Sequence, residues 1–165
     1  MTELRYIEHY PEHLVESIRQ LAEQQRLGMY LADKYPNSHE VNSDKALREF
    51  TINYKNTFLR QSAPLSKVVF DPKLHVVKHA LGLHSVVSRV QGSKLKSKNE
   101  IRISSLFKQG AIEFLEMIVV HELAHLKQRQ HNKAFYQLCE HMLPNYHQLE
   151  FDFRVYLCHQ ESTLK

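Results

Sequence analysis

The sequence predicts an α+β domain, mostly helical, with a small antiparallel sheet. Three observations predict it. Apolar residues recur at helical spacing along most of the chain, while two short stretches alternate apolar and polar residues. The 165 residues are enough for one core but short for two. The expected organisation is a single domain, 1–165, whose first part, 1–65, is helical.

Residues 11–34 read as one helix, with Leu14, Ile18, Leu21, Leu27 and Leu31 along one face and Pro11 in the first turn. Residues 44–61 read as a second, capped by Ser43 and striped by Leu47, Phe50, Tyr54 and Phe58. "APLSKVVFDP" holds a short extended segment, and residues 73–81 a short helix ended by Gly82. "HSVVSRVQ" and "NEIRISSLF" alternate as strands do, and the lysine-rich "GSKLKSK" between them makes an antiparallel hairpin. Residues 111–127 form a long helix, and "NKAFYQLCEHML" another that stops at Pro144. In the tail, Phe151, Phe153, Val155 and Leu157 alternate like a strand. Leu149, Phe153 and Tyr156 fit a helix, which is the preferred reading.

Composition narrows the classes. The apolar fraction of 42% is ordinary for a soluble domain, and no apolar run is long enough to span a bilayer. The polar start "MTELRYIEHYPEH" lacks the apolar core of a secretory signal, so the expectation is a cytoplasmic protein with no membrane partner. Cys139 and Cys158 form no CxxC pair and are expected as reduced, partly buried thiols. A net charge of +4 admits an acidic partner, a nucleotide or nucleic acid, without requiring one. The 12 histidines suit metal chemistry and also make chance histidine motifs commoner.

The chemistry concentrates in "IVVHELAHLKQRQHNKAF", residues 118–135. His121 and His125 are four residues apart on a helix, so they lie on one face and can grip a single ion through neutral imidazoles. Glu122, beside the first, can lean over the open coordination position and take a proton from water. The apolar run before them makes a buried, rigid mount. The competing reading is a helix with two ordinary histidines. A catalytic zinc site wants a third protein ligand. His131 is six residues beyond His125, so it reaches the same ion only if the helix breaks at about residues 129–131, with Asn132 capping the next one. The alternative for His131 is a solvent-facing residue at a helix cap. No glycine stands in the turn, where Gln128 occupies the place of the metzincins' glycine, and no Met-turn is evident.

"VVHELAHL", then His131, Phe135 and "LPNY" at 143–146, resembles the YgjP-like metallopeptidase domain family, a zincin-like group similar to the SprT and WLM domains. The resemblance covers roughly residues 70–150, and "RVQGSKLKSKNEIRIS" matches the layout upstream of the motif helix. The chain departs from the family in lacking the tryptophan and cysteine that flank its Gly-Ser turn, and in its helical N-terminal third. The resemblance implies a zincin-like metallohydrolase core over 66–165, with the sheet beside the HExxH helix. It implies Zn2+ held by His121, His125 and His131, with Glu122 as the general base. Relatives are described as peptidases, and one as a nucleoside triphosphate pyrophosphatase.

Other candidates carry bland readings beside sharp ones. His75, His79 and His84 cluster without an acidic partner and read as surface or half-buried residues. His141 is either a second-sphere partner of the site or an ordinary histidine, and Tyr136 and Tyr146 are either oxyanion donors or packed phenols. Phe135 is expected to pack beneath the site. Lys94, Lys96 and Lys98, with Arg89 and Arg102, would suit a phosphate or nucleic-acid backbone, or simply a solvated turn. No aromatic residue interleaves with them, which weakens a single-strand reading. Three functions follow: a zinc metallopeptidase acting on a peptide or protein substrate, the leading one; a metal-dependent nucleoside triphosphate pyrophosphatase; and a non-catalytic metal- or nucleic-acid-binding domain, against which Glu122 argues.

Overall fold

A computed structural model describes residues 2–74 and 99–164. The expected helix at 73–81, the first hairpin strand at 84–91, the lysine-rich turn and the histidines at 75, 79 and 84 lie outside these residues, apart from the first two positions of that helix.

The first predicted helix is two. Helix α1 runs Glu12–Glu23 and α2 Leu27–Lys34. Between them Gln25 takes φ +57, the only positive φ of a non-glycine residue among those described. Its N–H donates to the Ala22 carbonyl at 3.0 Å, and that of Arg26 reaches back to Leu21 at 2.8 Å. This paired closure is the usual helix-ending motif, built here on glutamine instead of glycine. Apolar spacing continues through the break, so periodicity alone could not reveal it.

Helix α3, Asp44–Phe58, starts as expected: the Ser43 hydroxyl accepts from the Ala46 N–H at 3.1 Å. The neighbouring Asp44 carboxylate accepts from the Phe70 N–H at 2.9 Å, tying the helix start to strand β1, Leu65–Asp71. Strand β2 is Asn99–Ser104. The two strands run parallel, with Val68 opposite Ile101 and Phe70 opposite Ile103. The sheet among the described residues is thus parallel where the sequence predicted an antiparallel one, and the hairpin partner predicted for β2 lies outside those residues. Alternation specifies a strand and its buried face, but not its partner. The partner found for β2 is the segment read only as extended.

A short 3-10 turn, Ser105–Lys108, leads into α4, Ile112–Ala124, through Gly110 at φ +87. From Phe114 to Ala124 every residue of α4 is buried except Glu116. The helix packs against α3, β2, α5 (Lys133–Met142) and α6 (Tyr146–Thr163). The tail is thus helical throughout, as preferred. Tyr35, Lys34 and Gln148 meet the fully buried Asp152 carboxylate, which joins α2 to α6. No helix among the described residues is long and apolar enough to cross a membrane.

Candidate metal centre

Helix α4 stops at Ala124, leaving His125 as its C-cap at φ −66, ψ −14. The backbone then tightens: Leu126 and Lys127 donate to the carbonyls of Leu123 and Ala124, three residues back. His125 Nδ1 lies 2.9 Å from the Gln128 carbonyl and so donates to it, closing the turn with a side chain. The Asn132 side chain accepts from the Phe135 N–H at 2.9 Å and starts α5. The break expected near 129–131 is present, and it needs no positive φ and hence no glycine.

That turn folds His131 back onto the motif helix. The rings of His121, His125 and His131 form a triangle whose three centroid separations are all 4.9 Å. Phe135 lies 4.9, 4.7 and 4.8 Å from them, the packing role expected of it. One nitrogen from each histidine falls within 4.8 Å of the others, and the Nε2 atoms of His125 and His131 are 3.1 Å apart. An ion about 2.1 Å from each of two imidazole nitrogens in tetrahedral geometry would set them about 3.4 Å apart. Because His125 Nδ1 is committed to Gln128, its Nε2 is left as a lone-pair donor. The three histidines therefore fit a metal ion.

Glu122 is 1% exposed, and burial pushes its carboxyl well above the usual carboxylate range. Its Oε2 is buried without a hydrogen-bond partner, 3.8 Å from His121 Nε2. An orphaned carboxylate oxygen beside three imidazoles is a costly arrangement on its own, and a cation in the triangle would relieve it. Burial lowers the pKa of His125, which favours the neutral form that coordinates.

The other candidates separate. Tyr146 is fully buried with its hydroxyl 2.7 Å from His121 Nδ1, which commits that oxygen to a histidine rather than to an oxyanion. Tyr136 stays half-buried at the margin, its ring 6.3 Å from that of His131. His141 is exposed and meets Phe58, not the site. Arg102 pairs with Asp71 and Glu100 along the sheet. The sequence reading missed the links from Tyr146 to His121 and from Gln128 to His125. A tyrosine heading a run of polar residues at four-residue spacing on the last helix was the signal for the first.

The chain is 57% identical over 157 residues to the UTP pyrophosphatase of Escherichia coli (strain K12), covering 95% of this chain and 94% of that protein. No solved structure matches. The model of the family described as YgjP-like, metallopeptidase domain, matches residues 8–154, and both descriptions are of hydrolases. The chain belongs to the YgjP-like metallopeptidase domain family.

Proposed function

We propose that this hydrolase cleaves a phosphoanhydride bond of a nucleoside triphosphate, releasing pyrophosphate, with uridine triphosphate the first substrate to try. The observation that carries the proposal is the 57% identity, over nearly the whole of both chains, to a protein named UTP pyrophosphatase. The leading expectation from the sequence, a peptidase, keeps the support of the family's description alone.

The charge around the histidines suits the nucleotide. Lys127, Arg129 and Lys133 are exposed and flank His131 at close intervals, and no acidic residue occurs between Leu126 and Cys139. A triphosphate carries several negative charges, and cations on the loop that bears the ligands would hold it against them.

His121, His125 and His131 would hold a zinc ion. When bound, such an ion supplies Lewis acidity, lowering the pKa of water beside it and drawing charge from a phosphoryl oxygen. Glu122 takes the proton from the attacking water. Its orphaned oxygen is free to accept, and its buried setting keeps its proton affinity high enough to do so. Lys127, Arg129 and Lys133 orient the phosphates and offset charge that develops on the departing pyrophosphate.

The test offers zinc-loaded protein uridine triphosphate, the other nucleoside triphosphates and a denatured protein side by side, with Glu122→Gln as control. Pyrophosphate release that falls by about 10²–10⁴ in the control supports the reading. Cleavage of the protein substrate, sensitive to the same substitution and without pyrophosphate release, would return the site to a peptidase.

A further inference from the structure

Helix α6 carries a polar stripe where apolar packing would be expected. Tyr146, Glu150 and Arg154 recur every fourth residue and so share one face. Tyr146 is 0% and Arg154 2% exposed, and the Glu150 side chain 13%. Arg154 Nη2 lies 3.4 Å from Glu150 Oε1, and Nη1 lies 3.5 Å from the Tyr6 carbonyl. Glu150 Oε2 is buried without a hydrogen-bond partner. At the other end of the stripe, the Tyr146 hydroxyl meets His121 Nδ1 at 2.7 Å.

A buried ion pair is weak evidence for stability, because apolar residues of the same size often serve as well. Its placement needs another reason. Histidines that bind metals commonly give their second nitrogen's proton to a carboxylate or carbonyl, which fixes the tautomer and strengthens the ligand. His125 does this through Gln128. His121 has a phenol in that position, with a carboxylate one turn farther along.

We propose that Tyr146 and Glu150 are positioning residues for the metal, acting through His121. The Tyr146 hydroxyl accepts the Nδ1 proton and donates its own to Glu150, leaving Nε2 of His121 as the coordinating atom. Arg154 holds Glu150 in place, and the Tyr6 carbonyl holds Arg154, so the N-terminal segment takes part in shaping the site. The proposal rests on the reading of His121 as a ligand.

Zinc affinity of the full chain, measured by competition with a chromophoric chelator, tests it together with the visible spectrum of the cobalt-loaded protein. Tyr146→Phe is expected to weaken zinc binding about tenfold or more and to alter the cobalt bands. Glu150→Gln should weaken it less. The double variant should be no worse than Tyr146→Phe, because Glu150 acts through the phenol. Tyr54→Phe removes another tyrosine–carboxylate bond to α4, the 2.7 Å contact with Glu116, and should leave affinity and spectrum unchanged. If His121→Ala binds zinc as tightly as wild type, the ligand reading itself is wrong. If His121→Ala loses zinc while Tyr146→Phe and Glu150→Gln keep wild-type affinity and spectrum, the relay alone is overturned. Thermal unfolding without metal checks each fold, and Glu150→Gln, which preserves shape, decides the matter should Tyr146→Phe not fold.

Discussion

Gln128 stands where the metzincin pattern has glycine, and it can because the turn takes no positive φ and the His125 side chain closes it. One ring nitrogen closes the turn on the Gln128 carbonyl, and the other faces His131. The residue identities in the proposed site were legible in the sequence because helical spacing fixes the relation of His121 to His125. The approach of His131 was legible only as a condition, since it depends on a side-chain bond inside the turn. Tyr146 was harder still, because its partner is 25 residues away and the polar spacing along α6 marks a stripe without naming what it meets. Two outcomes belong at this scale. His131→Ala should bind less zinc, at weaker affinity, than wild type in metal analysis after dialysis; unchanged content would remove His131 from the site. Burial pushes the Cys158 thiol up to about 11, against about 8.5 for a free cysteine. A raised folded-state value means that its contribution to stability is complete below about pH 8.5 and fades as pH rises toward 11. Urea midpoints of wild type should therefore fall more steeply across that window than those of Cys158→Ala.

Helices were the most legible elements, and their junctions the least. Ser43 and Asn132 announced α3 and α5 through their capping chemistry, and both caps form as read. The break at Gln25 left no trace, because apolar periodicity runs on through it and the strained residue is not a glycine. Gln25→Gly should therefore raise the stability of the protein by about 0.5–1 kcal/mol in chemical denaturation, as the penalty on a left-handed side chain is relieved. The sheet was half legible: the buried face of β2 could be read from alternation, but not its parallel pairing with β1. Between helices, Asp152 joins α2 to α6 through Lys34 at 2.9 Å and two contacts with Gln148 at 3.1 Å. Asp152→Ala should cost about 2 kcal/mol, less than breaking a fully enclosed pair because Lys34 is partly exposed and can turn to water.

At the scale of the molecule, charge and composition set only bounds. They admitted a nucleotide without selecting it, and the substrate class rests on likeness to a relative. The fold serves the site by burying α4 on all sides, so that His121 and Glu122 cannot drift while His125 and His131 remain half open. A metal that binds only the folded form should stabilise it by mass action: at a free concentration one hundred times Kd, by about 2.7 kcal/mol. Calorimetry with and without zinc should show an unfolding temperature that rises with metal concentration, and His131→Ala should abolish most of the rise. The turn after α4 has a further consequence. Because the three histidines straddle it, an ion among them would act as a staple between two helices. Backbone amides from Leu126 to His131 should then exchange with deuterium quickly in metal-free protein and slowly once zinc is added, while those inside α4 barely change. The molecule would report occupancy of its own site as a local change in breathing.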